Sequence, residues 1–157
     1  MNLMQKYRPK GISVTDLSSQ LWCEKQLWFS LERGRLIRKE MERGAERHKD
    51  LHEEIAVLTK VEPKTDEDRV ALMLHNTLVG ITRLLRQKMT RELLICGYIN
   101  SLFVIGSIDE LKIQNNNLCI LDTKTRLSNK MPSIEQKRTS EFQLMLYKSL
   151  IDSIIFA

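Results

Sequence analysis

Apolar residues in this chain recur three or four apart over its first half, gather into short runs, and return to helical spacing at the end. Ser13-Val-Thr-Asp16 supplies N-caps for a first helix running to about Glu32, with Leu17, Leu21, Leu27, Trp28 and Leu31 at helical intervals. Gly34 interrupts the pattern. A highly charged second helix is predicted from about Met41 to Thr59, where Ala45, His48, Leu51, Ile55 and Leu58 place His48 on the inward stripe. Val61-Glu-Pro-Lys-Thr-Asp66 breaks that pattern, and Thr65 or Asp66 caps a third helix ending near Gln87. Its predicted inner face is Ala71, Leu74, Leu78, Ile81 and Leu85. Three strand-like runs follow, Glu92–Gly97, Leu102–Ile113 and Leu118–Thr125, and the turn at Asn115-Asn-Asn makes the last two an antiparallel hairpin. Leu127–Ser133 reads as a loop. A last helix begins near Ile134 and carries Phe142, Met145, Leu146, Leu150 and Ile154. This order predicts an α/β fold with a small, mainly antiparallel central sheet flanked by helices.

At 157 residues the chain is expected to form one domain. Its 25 basic and 20 acidic side chains leave a net charge of +5, which favours polyanionic partners. Three widely spaced cysteines, Cys23, Cys96 and Cys119, are a poor disulfide framework and point to a reducing, intracellular compartment. No apolar run approaches the roughly 20 residues of a membrane span. The basic N-terminus, with Lys6, Arg8 and Lys10, lacks the apolar core of a secretory signal.

Candidate chemistry lies in Gly106-Ser-Ile-Asp109 and Asp122-Thr-Lys124, charged residues set in apolar runs where burial is costly unless they pair or bind metal. On a strand, Asp122 and Lys124 share a face about 7 Å apart. The neighbouring strand of the hairpin would bring Asp109 to the same face. Two carboxylates offer hard oxygen ligands to Mg²⁺, and a lysine beside them could orient a water and offset phosphate charge. The alternative is an edge-strand charge pair. His48 could face this sheet edge or be a satisfied core histidine. Gln143 and Tyr147, four apart on the last helix, share one face and could serve the site or simply pack. His48 and His52 lack the partners of a zinc site, and no phosphate-cradling glycine loop or nucleophile elbow occurs. Basic patches at Arg33, Arg35, Arg38 and Lys39, at Arg83, Arg86, Lys88 and Arg91, and at Lys130, Lys137 and Arg138 suit phosphate backbones or plain solvation. Trp22 and Tyr7 are candidate stacking surfaces for unpaired bases, whereas periodicity puts Trp28 in the core.

Taken in order, Val14-Thr-Asp-Leu…Trp22-Cys23-Glu, Gly44-x3-His48, Gly106-Ser-Ile-Asp109-Glu-Leu, Leu121-Asp122-Thr-Lys124-Thr-Arg126 and Phe142-Gln143-x3-Tyr147-Lys148 resemble the exonuclease V family, of the RecB-type PD-(D/E)xK nuclease superfamily. The resemblance implies a restriction-endonuclease-like core and a Mg²⁺-dependent exonuclease, with Mn²⁺ as an alternative, that degrades single-stranded DNA from free ends in DNA repair. It implies His48, Asp109, Asp122 and the Thr123 carbonyl as metal ligands, and Lys124 as the catalytic lysine, supported by Gln143 and Tyr147. Arg86, Arg126, Lys130 and Lys148 are expected to contact DNA. Residues 1–157 would be a single RecB-like nuclease domain, with a helical part at 12–60, a sheet core at 91–125 and a C-terminal helix at 134–157. Relatives of this kind carry a four-iron, four-sulfur cluster, for which Cys23 occupies the first ligand position. With the other three ligands absent, the chain is expected to be truncated and not to assemble the cluster. Further expectations are a monomer off the membrane, in the nucleus or alternatively the mitochondrion, with single-strand-binding protein as a further partner. Two other readings stand beside this one: a truncated, non-catalytic DNA-binding module, and a structure-specific endonuclease of the same superfamily.

Overall fold

The computed structural model describes residues 6–124 and 131–155. The elements, in order, are β1 (Ile12–Ser13), α1 (Val14–Trp22), α2 (Glu24–Arg33), α3 (Lys39–Glu53), α4 (Asp66–Gln87), β2 (Met89–Ile99), β3 (Leu102–Gln114), β4 (Asn117–Leu121) and α5 (Ile134–Ile155). Strands run β1-β3-β2, with β4 also paired to β3. The α/β class and the mainly antiparallel sheet therefore agree with the sequence pattern. The short β1 adds one parallel pairing, Ile12 opposite Val104 and Ser13 opposite Ile105. No described helix is long and apolar enough to cross a membrane.

The predicted first helix is two helices. Ser13 caps α1 through a capping box, its hydroxyl accepting from the Asp16 N–H at 2.9 Å, and Arg8 ties the same Asp16 from outside at 2.8 Å. Cys23 then turns extended, with φ −165° and ψ 110°. Its N–H donates to the Ser19 carbonyl, closing α1, while its own carbonyl accepts from Leu27, opening α2. No proline or glycine marks this break. The restart buries Leu27 and Leu31 and leaves Trp28 41% exposed against the edge of Phe29, correcting its predicted place in the core.

α3 ends at Glu53, six residues short of the predicted Thr59. α4 begins as predicted, with Thr65 and Asp68 forming a capping box, and ends at Lys88 in the left-handed region at φ 61°. Its inner face is rotated from the predicted one. Leu74, Leu78 and Leu85 are more than half exposed, whereas Gly80 and Leu84 are buried. Thr77 donates across to the Leu94 carbonyl at 2.9 Å. Small residues on this face permit close approach, since a Cβ on Gly80 would meet Leu93 Cδ1 at 2.6 Å. Two apolar stripes lie side by side on this helix, and hydrophobicity alone selects the wider one.

The β3–β4 hairpin has Gln114 opposite Asn117 and Glu110 opposite Leu121. Asn115 and Asn116 both take positive φ, 49° and 64°, as a two-residue type I′ turn requires. β4 stops at Leu121, so Asp122, Thr123 and Lys124 lie beyond the strand, a correction to the sequence pattern, which predicts them within it.

The chain groups into two compact units, Met1–Met41 with Ile95–Gly106 and Arg126–Ala157, and Glu42–Leu94 with Ser107–Thr125. In the first, α1 packs on α5, and Ile12, Val14, Val104, Tyr147 and Leu150 form the buried centre. In the second, Leu84, Leu93, Ile108 and Leu111 do so. Gly106 belongs to the first unit and leaves no room for a side chain: an added Cβ would sit 2.5 Å from Tyr147 Cε1 and 2.8 Å from Val14 Cγ2. Gly106→Ala is therefore expected to destabilise the protein by about 1–3 kcal/mol through overpacking. Urea unfolding should show a lower midpoint at unchanged slope.

Candidate metal centre

Three elements of the second unit converge on His48. The histidine sits on α3, Glu92 on β2, and Thr123 just past β4. His48 Nδ1 lies 2.9 Å from Glu92 Oε1 and 3.7 Å from Asp109 Oδ1, while Nε2 lies 3.1 Å from the Thr123 carbonyl. Asp109, on β3, accepts the Thr123 N–H through its other oxygen at 2.7 Å. The second Glu92 oxygen accepts from the Ser107 hydroxyl at 3.0 Å. Glu92 itself is at φ 50°, a left-handed conformation inside a strand. Such backbone costs on the order of 1–3 kcal/mol and gathers at functional sites, where surrounding contacts hold it.

Donor atoms of His48, Glu92 and Asp109 all lie within 4.8 Å of one another, the one such group among the described residues. With the Thr123 carbonyl they offer one imidazole nitrogen and three oxygens. That set fits a divalent cation such as Mg²⁺ or Mn²⁺ better than a thiolate-preferring metal.

Electrostatics point the same way. Burial pushes the Asp109 carboxyl up to about 6, reinforced by the charges of Asp122 and Glu92 and only partly offset by the Thr123 N–H and His48. For His48, burial alone would lower the pKa. The hydrogen bond to Glu92, the charges of Asp109 and Glu92, and the Thr123 carbonyl outweigh it and hold the imidazolium above its ordinary range. The centre thus stores protons that a cation would replace.

The remaining predicted residues are placed as follows. Asp122, whose side chain is only 6% exposed, accepts from Lys124 Nζ at 2.8 Å. It lies outside the tight donor group, in which Glu92 stands instead. Glu92 was absent from the sequence-derived set, although its one signal was available: a single acid opening the apolar run Leu93-Leu-Ile. Gln143 and Tyr147 lie on α5 in the first unit, with Gln143 Nε2 donating to the Tyr147 hydroxyl at 3.3 Å. Lys148 pairs with Asp152 along the same helix. Arg86 is exposed in the last turn of α4, and Arg126 and Lys130 lie outside the described residues. Cys23 is an exposed thiol at the α1–α2 break, and Cys96 and Cys119 are half-buried in β2 and β4. Three thiols in these 157 residues do not fit a cluster held by four.

In the first unit, Trp22, Gln26, Phe29, Arg33, Arg35 and Arg38 line a groove of about 1000 Å³, with the Arg33 guanidinium 5.6 Å from the Phe29 ring centre.

A family model described as exonuclease V, a 5′ deoxyribonuclease, matches residues 2–119 and 113–156. The chain belongs to the exonuclease V family. Exonuclease V of Danio rerio is 36% identical over 158 residues, covering 97% of this chain and 40% of that relative. The chain thus spans about two-fifths of the length of this exonuclease V.

Because a cation must displace protons from Asp109 and His48, its affinity should fall as pH drops through about 6. Millimolar Mg²⁺ or Mn²⁺ is expected to raise the melting temperature at pH 7.5 and to lose that effect by pH 5. Asp109→Asn, which keeps an acceptor for the Thr123 N–H, should abolish the cation response while leaving the metal-free protein folded. An equal cation effect in that variant would contradict this ligand set.

Proposed function

We propose that this chain carries the nuclease centre of a Mg²⁺-dependent deoxyribonuclease that hydrolyses single-stranded DNA from a 5′ end, in DNA repair. The observation that carries the reading is the His48–Glu92–Asp109 donor group, with the Asp122–Lys124 ion pair flanking Thr123, whose carbonyl faces His48. Membership of a family described as 5′ deoxyribonuclease supports the substrate and the polarity.

His48, Glu92, Asp109 and the Thr123 carbonyl would hold the cation, which when bound supplies an acidified water and neutralises charge on the scissile phosphate. The chain's own groups do the rest. Asp109 and Glu92 are each fixed through one oxygen, by the Thr123 N–H and the Ser107 hydroxyl, and turn the other toward His48, so little reorganisation is needed to present it. Asp122 accepts from the Lys124 ammonium and positions it past the Thr123 carbonyl, where its charge would orient water or offset the phosphate. In the first unit, the rings of Trp22 and Phe29 and the arginines of the same groove support single-strand contact, since unpaired bases stack while phosphates pair with guanidinium.

With an end-labelled single strand and Mg²⁺, Asp109→Ala, Glu92→Gln and Lys124→Ala should each lower cleavage about a hundredfold or more. DNA binding in EDTA should change only severalfold, because these groups act chiefly on charge developing in the transition state. Binding without mutation-sensitive cleavage would instead identify a DNA-binding module. Rapid cutting of a circular single strand would identify an endonuclease.

A further inference from the structure

A second feature of the Glu42–Leu94 segment borders that centre. The end of α3, the 54–65 connection, one face of α4 and the start of β2 border an open cavity of about 530 Å³. This lies within the roughly 300–1,000 Å³ typical of small-molecule sites. Its apolar side is lined by Val61, Leu72 and Val79, while Val57 is 97% exposed. Against that side stand His52, His75, Asn76 and Arg83.

The cations here are not equivalent. Arg91 is balanced by Glu54 and Glu110, at 2.7 and 2.8 Å, and Lys60 by Glu62 at 2.9 Å. Arg83 is half-buried and, among the described residues, has no hydrogen-bond or ion-pair partner. A half-buried guanidinium without a direct partner is unfavourable, and a bidentate anion such as phosphate matches its fork. His52 and Asn76 add donors beside it. Glu92 closes the cavity on the side where it also meets His48, so the cavity adjoins the donor group.

We propose that this cavity binds a nucleoside monophosphate unit, its phosphate on Arg83 and its base against the Val61–Leu72–Val79 side, with His75 and Asn76 at the base edge. Resting on the nuclease reading, this unit is the terminal nucleotide of the strand at the donor group. An apolar wall opposite one unbalanced cation is what a base with one phosphate requires. A free phosphate would leave the wall uncovered, and a nucleoside would leave Arg83 unpaired.

The test is titration of the full chain with a deoxynucleoside monophosphate in EDTA, followed by calorimetry or by the NMR signals of His52 and His75. Saturable binding is expected, weakened about tenfold or more in Arg83→Gln and partly restored in Arg83→Lys. Inorganic phosphate should compete weakly, and the unphosphorylated deoxynucleoside should bind about tenfold less tightly or worse. Circular dichroism of each variant checks that it is folded. Absence of saturable binding by the wild type, an unchanged affinity in folded Arg83→Gln, or equal affinity for nucleoside and nucleotide would overturn the proposal. Since EDTA removes any cation, binding that persists in a chain unable to cleave DNA would uphold the cavity and reject the nuclease. Cleavage by a chain without monophosphate binding would do the reverse.

Discussion

One imidazole holds the second unit's polar centre together. His48 donates toward Glu92 on β2 from one nitrogen and toward the Thr123 carbonyl, past the end of β4, from the other. A helix, a strand and a turn widely separated in the chain are thereby fixed to one ring. The geometry is that of a doubly donating imidazolium, in keeping with the upward shift of its pKa. Removing the ring would leave two acids facing each other and a carbonyl without its donor, so the arrangement depends on a positive group at this point. A proton supplies it in the free protein, and a divalent cation could supply it more strongly.

The neighbouring residues Asp109 and Glu110 show that this is a property of place and not of residue type. They alternate across β3 and so face opposite sides of it. Burial would push both upward. Glu110 meets Arg91 at 2.8 Å and Lys112 at 2.6 Å, and these cations hold it below the usual carboxylate range. Asp109 meets Asp122 and Glu92 along with His48, and is pushed up to about 6. One side of the strand is a finished ion-pair network. The other carries three acids against His48 and Lys124, an excess of negative charge that calls for an external cation.

How much of this was legible follows from what each signal encodes. Caps and turns are written locally, so Thr65-x-x-Asp68 and the Asn115-Asn116 hairpin are found where the residues place them. The break at Cys23 has no such mark: it follows from fitting two short helices, and periodicity runs straight through it. The inner face of α4 is likewise set by contact, because Thr77 and Gly80 admit the strand more closely than the leucine stripe beside them would. At the centre, Asp109 and His48 stood out as polar residues on apolar stripes. Glu92 did not, because an acid at the start of a strand reads as a boundary. Its meaning lies in a backbone angle and in two partners 44 and 15 residues away, none of which a linear pattern carries.

The same distinction divides the motif Gly106-Ser-Ile-Asp109, which looks like one chemical unit in the sequence. Its four residues do four different things. Gly106 is a packing residue, small because the Tyr147 ring and Val14 fill the space where a side chain would be. Ser107 orients Glu92, Ile108 is fully buried, and only Asp109 joins the donor group. The glycine therefore reports on the hydrophobic centre around α5 and the aspartate on the polar one around His48, and β3 is the covalent element common to both.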